Sequence, residues 1–204
     1  MLKSKKIITL LLVAIMSVAS VSSVFATSPS GLGHLDDERA AAVRESMAFA
    51  EEYNQIRQAI AVVSSVVVNG VEFDFDAFII NDNNYFRIRD LAYVLNGTEK
   101  LFDVGFNSGT NTVFMTSGQT YTVVGGEMLN VHRRYITTHS SVVLYTAHPS
   151  SWNFMLDGEE ISFTAYTIGG SNYVKLRDIA AVLDFSVEWD GRVIIDTSRG
   201  YTAQ

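Results

Sequence analysis

The chain has 204 residues, no cysteine and a net charge of −7. Without cysteine there can be no disulfide, no thiolate metal site and no anchoring through a lipidated cysteine. The acidic balance gives the wrong sign for charge-driven binding to nucleic acid, and argues against simple attraction to anionic lipid or wall polymers.

Residues 1–26 read as a secretory signal. Lys3, Lys5 and Lys6 form a positive start, and Ile7–Val18 is an apolar run too short for a stable membrane span. Val24-Phe25-Ala26 places small residues where a signal peptidase reads, so cleavage is expected after Ala26. Losing three lysines and no acid takes the net charge from −7 to −10. The expectation is a secreted or cell-wall-associated protein with no stable membrane insertion after cleavage.

Residues 27–65 read as a linker, Thr27–Gly33, and one longer amphipathic helix from Asp36 to about Val62. Its apolar stripe is Val43, Met47, Ala50, Tyr53, Ile56, Ile60 and Val63.

The rest of the chain says one thing twice. Asn69–Asn96 aligns without a gap on Asp157–Asp184, with twelve of twenty-eight positions identical. After a deletion Phe102–Phe106 matches Phe185–Trp189, and Tyr121-Thr122 matches Tyr201-Thr202. The boundaries are 66–125 for the first copy, 126–153 for a connector without counterpart in either copy, and 154–204 for the second copy.

Within each copy Asn69-Gly70 or Asp157-Gly158 predicts a two-residue hairpin turn, since both central positions need positive φ. In the following strand Phe73, Phe75 and Ala77 alternate with Glu72, Asp74 and Asp76, and Ile161, Phe163 and Ala165 alternate with Glu160, Ser162 and Thr164. The apolar set is kept and assigned to core; the polar set drifts and is assigned to solvent. A third strand is expected at Phe78–Ile80 and Tyr166–Ile168, then a strand or bend at Tyr85–Ile88 and Tyr173–Leu176. A short helix follows at about Asp90–Leu95 and Asp178–Leu183, with Asp90 and Asp178 as N-caps. A closing hairpin ends each unit. The predicted fold is therefore α+β: two copies of a ββ-β-α-ββ repeat, an antiparallel sheet with a short helix, after one longer helix. Phe75 with Phe163, Leu95 with Leu183, and Phe106 with Trp189 are expected in equivalent buried places.

The run Tyr173-Val-Lys-Leu-Arg-Asp-Ile-Ala-Ala-Val-Leu-Asp-Phe-Ser-Val-Glu-Trp-Asp-Gly resembles the repeat of the copper amine oxidase N-terminal-like, or stalk, domain of exported Gram-positive bacterial proteins. Tyr85-Phe-Arg-Ile-Arg-Asp-Leu-Ala-Tyr-Val-Leu is a looser version. The resemblance implies an accessory module outside any catalytic domain. Amine oxidase similarity would require Asn-Tyr followed by Asp or Glu and a His-x-His pair. Here Asn84-Tyr85 precedes Phe86, Asn172-Tyr173 precedes Val174, and no His-x-His exists.

His34, His132, His139 and His148 have no compact metal-ligand spacing and read as surface polar residues. Asp74, Asp76 and Asp82 lack the glycine-centred calcium loop pattern and read as an exposed strand face and turn. Arg89-Asp90 and Arg177-Asp178, kept in both copies, read as ion pairs with a helix cap. No catalytic, cofactor or metal residues are assigned. Tyr85, Tyr121, Trp152 and Trp189 are the candidates for stacking on sugar rings, although aromatics at strand positions more often belong to a core. The expected function is a non-catalytic exported structural or binding module, with a wall polymer or another surface protein as partner. The alternative is a carbohydrate- or peptidoglycan-binding protein, and behind it a small hydrolase.

Overall fold

The computed structural model describes residues 37–129, 131–132 and 142–203. The signal segment, its cleavage site, the 27–33 linker, His34 and His139 lie outside them. Two compact units divide the chain, at residues 1–56 and 57–204.

In the first unit helix α1 covers Asp37–Gln55, with Val43 half-buried and Met47 exposed. It stops seven residues short of the expected end. Residues from Arg57 onward form strand β1, Arg57–Val68, so Ile60 and Val63 belong to a strand. The run from Ala59 to Val68 is rich in β-branched residues, and pairing partners on both sides override its helical spacing.

The second unit is built mainly of strands. β2 spans Val71–Ile80 and β3 Asn83–Arg87; helix α2 is Ile88–Leu95; β4 is Phe102–Asn107 and β5 Thr112–Ser117. β6 is Leu144–Pro149, β7 Asn153–Leu156, β8 Glu159–Ile161, β9 Ala165–Ile168 and β10 Ser171–Lys175. Helix α3 is Leu176–Leu183, followed by β11, Ser186–Trp189, and β12, Val193–Asp196. The class is α+β, as the sequence predicts. The predicted third strand Phe78–Ile80 is the uninterrupted end of β2, whereas in the second half residues 162–164 do break the strand.

Sheet order β1-β2-β3-β10-β9-β6, with β6 returning to β1, closes a six-strand barrel. The connector thus supplies a barrel strand, β6. Strand alternation sends Phe78 and Ile80 inward, where they meet Ala59, Ala61, Ala147 and Ile168. Tyr85, Tyr166 and Tyr173 complete this interior, with Tyr85 edge-on to Tyr166 at 5.4 Å and Phe78 edge-on to Tyr173 at 4.8 Å. The other face of β2 carries Phe75 and Ala77 into a second, larger core with Phe86, Leu91, Leu95, Ile179 and Phe185. A small second sheet, β4-β5-β7-β8, covers that core. Each fully buried phenylalanine contributes about 1.5–3 kcal/mol there.

The ladder registers come in matched sets when the first strands are related by a shift of 88 positions and the last strands of the closing hairpins by a shift of 80. Parallel β1–β12 pairs Val66 with Val193, and parallel β5–β7 pairs Val113 with Phe154. Antiparallel β3–β10 pairs Tyr85 with Lys175 and Arg87 with Tyr173, around Phe86 and Val174. Asn69 accepts the Thr197 N–H at 2.9 Å, and Asp157 accepts the Ser117 N–H at 2.9 Å. The closing hairpin of each segment therefore extends the first strand of the other. This is the reciprocal contact pattern of a two-fold interface, here within one chain.

Candidate functional site

Three of the four aromatic candidates are occupied by packing. Tyr85 is 4 % exposed inside the barrel, where burial and the neighbouring Tyr166 push its phenol up to about 12. Tyr121 is 3 % exposed and donates its hydroxyl to Glu127 at 2.7 Å; burial, then that carboxylate, raise its pKa. Trp152 is half-buried, edge-on to Phe106 at 5.8 Å. Trp189 is 65 % exposed, which corrects its expected burial. Phe106 and Phe163 are half-buried, whereas Phe75, Leu95 and Leu183 are core as expected.

The reason for Trp189's exposure lies in what faces each closing hairpin. Phe106 pairs with Val113 and Trp189 with Val193, the same register in both hairpins. Trp152 stands two residues before Phe154, and Ser64 two residues before Val66, its matched position. Where Phe106 meets an indole, the corresponding position on β1 offers only a hydroxymethyl group.

Beside Trp189 lies a cleft of about 310 Å3. The turn before β3 gives it Asp82 and the start of β3 gives Asn83 and Asn84; the α3 entry gives Lys175 and Arg177; β11 gives Glu188 and Trp189. Leu176, Val187 and Val193 are buried apolar residues beneath this polar rim. Lys175 lies 3.7 Å from Asp178, and Glu188 is held by Arg199 at 2.6 Å. The positive-φ backbone of Asn81 and Asp82 turns β2 into β3 and presents the amides at this edge. The volume is at the small end of the range for small-molecule sites.

Asp90 and Asp178 do not cap their helices. The N-cap positions are Arg87 and Lys175, neither with a side-chain cap bond. Asp90 sits in the first turn, 1 % exposed, and receives Arg87 Nη2 at 2.6 Å, Arg87 Nε at 3.1 Å and the Met128 N–H at 3.0 Å. Burial alone would lower the Arg87 guanidinium; the Asp90 hydrogen bond and charge outweigh it and hold it above its ordinary value. The ion pair is thus three residues apart rather than between neighbours. Arg89 instead lies over the Phe106 ring, 4.6 Å from its centroid.

His132 is buried, contrary to its surface assignment. Its ring is edge-on to Phe78 at 4.8 Å, and its Nδ1 lies 3.2 Å from the Val62 carbonyl, so that nitrogen is the protonated one. Asp76, also buried, accepts the Val131 and His132 N–H groups through Oδ2; its Oδ1 is buried and has no partner among the described residues. Asp76 is on the inward face of β2 because that face becomes a barrel interior, which the predicted open sheet would have left to solvent. His148 is exposed on β6. Among the described residues no three His, Asp or Glu side chains stand together to hold a metal ion, and no helix is long and apolar enough to cross a membrane.

No family model, curated protein or solved structure matches this chain.

Proposed function

We propose that this chain is an exported, non-catalytic module of the cell surface or cell wall, made of two interlocked copies of a ββ-β-α-ββ unit like that of the stalk domain it resembles. The observation that supports this reading is where the chemically capable side chains go. Tyr85, Tyr121, Asp76, Asp90 and His132 are spent on packing and on holding the backbone at Met128 and His132. The matched registers support the repeat, because equivalent pairings at aligned positions call for similar local folds. A hydrolase would need two convergent titratable groups in a dry cleft. The carboxylates beside Trp189 do not fit that need: Asp82 is exposed and Glu188 is engaged by Arg199.

The test is fractionation of the native source followed by co-sedimentation with purified wall. The reading expects the chain outside the membrane, starting at Thr27, and pelleting with wall or with a surface protein. It also expects no stoichiometric copper and no peroxide release from a primary amine. Catalytic turnover, or retention of all 204 residues in the membrane fraction, would sink it.

A further inference from the structure

We propose that the cleft beside Trp189 is a saccharide subsite, which takes a neutral pyranose with its flat C–H face on the indole. This deepens the binding-module reading above and rests on it.

Three observations carry it. The first is the internal comparison. In one half of the molecule the aromatic side chain of the closing hairpin, Phe106, is met edge-on by the ring of Trp152, with Arg89 over its ring. In the other half the hairpin carries the larger Trp189, and Ser64 stands at the position of that indole. A wide apolar face is thus presented where the fold elsewhere supplies its own ring. The second is that this face borders a half-open cleft of about 310 Å3 rather than a flat surface. Of the four exposed large aromatics among the described residues, Tyr93, Phe114, Tyr145 and Trp189, only Trp189 lines the cleft.

The third is the chemistry of the rim. Asp82, Asn83, Asn84, Lys175, Arg177 and Glu188 put amide, carboxylate and cationic groups around the indole. An aromatic side chain from a partner protein would strip water from these groups and return no hydrogen bonds. A pyranose ring gives both halves what they need: C–H bonds for the indole face and hydroxyls for the rim. The rim's two acids and two bases balance, and Lys175 and Glu188 already have partners, so no strongly charged sugar is called for.

The probes are cellohexaose and chitohexaose, titrated into the full chain. Trp152 and Trp189 are its only tryptophans, so in a Trp152→Phe background the indole emission reports on Trp189 alone. The expected result is a saturable blue shift with at least one of the two sugars. Calorimetry on the unmodified chain should show the same binding, weakened at least about tenfold, or 1.4 kcal/mol, by Trp189→Ala. The melting temperature of that variant should match the parent, which separates lost binding from lost fold. Two results overturn the proposal: no saturable response to either sugar up to about 10 mM, or binding that survives Trp189→Ala. If the chain pellets with purified wall while both sugars are silent, the subsite is refuted and the module reading stands. If sugar binds at Trp189 but nothing pellets with wall, the subsite stands and the wall assignment falls.

Discussion

Asp90 and Asp178 occupy the same place in the repeated sequence, yet removing them should have very different costs. Asp90 is 1 % exposed and collects three hydrogen bonds, two from Arg87 and one from the Met128 N–H. Asp90→Ala leaves a part-buried guanidinium and a backbone donor without that carboxylate, which costs about 3–5 kcal/mol for a broken buried pair. The side chain of Asp178 is 27 % exposed; Lys175 is 3.7 Å away and the Thr164 N–H 3.0 Å. An ion pair this exposed is worth about 0–1 kcal/mol, so Asp178→Ala should cost about 1 kcal/mol once the backbone bond is included. In a unit of this size the Asp90 change should lower the melting temperature by roughly 6–20 °C and the Asp178 change by about 2–4 °C. Urea titration of both variants, with the slope m checked for constancy, gives the two free energies. Equal losses would refute the reasoning, since only the difference in burial and partner count separates the two residues.

Trp189→Ala should change stability by no more than about 0.5 kcal/mol, whereas Phe86→Ala in the core should cost about 3–5 kcal/mol; thermal melts of both check this. Burial first pushes Tyr85 and Tyr173 up to about 12, helped by Tyr166 and Asp178 at Tyr85, while at Tyr173 Arg87 opposes it and Asp90 and Asp76 reinforce it. A raised folded pKa means their stabilising contribution is complete below pH ~10 and lost as pH rises through ~12. An ultraviolet titration should therefore show these phenols ionising late, and ionisation of every tyrosine near pH 10 would contradict it. Asp157, held by the Ser117 hydroxyl and N–H, and Asp184, held by the Tyr201 N–H and Lys100, titrate below the usual carboxylate range. Their contribution is present above the unfolded carboxylate pKa and lost as pH falls through the lower folded value, so melts should weaken progressively in acid. Gly70→Ala and Gly158→Ala, at φ of +86° and +88°, should each cost about 1–2 kcal/mol; a melt unchanged by either would remove the turn argument.

The sequence by itself determined what depends on near neighbours. Asn69-Gly70 and Asp157-Gly158 form their turns, with positive φ at all four residues, because few other residues accept that backbone. Phe75 and Ala77 reach the core, and Leu91, Leu95, Ile179 and Leu183 bury the inner faces of two short helices, because periodicity records which side meets solvent. The tertiary structure decided what depends on partners distant in the chain. It made Arg57–Val68 a long strand rather than a helix end, since β2, β6 and β12 all pair with it. It turned the expected open sheet into a closed barrel, which put Asp76 inside, and drew His132 out of the solvent against it. It exposed Trp189 while covering Phe106, because the residue facing each hairpin comes from the other half of the chain, and one half offers Trp152 where the other offers Ser64. No local pattern holds that difference: it is set by cross-pairing between segments distant in the chain, Val66 with Val193 and Val113 with Phe154, where register chooses which side chains meet.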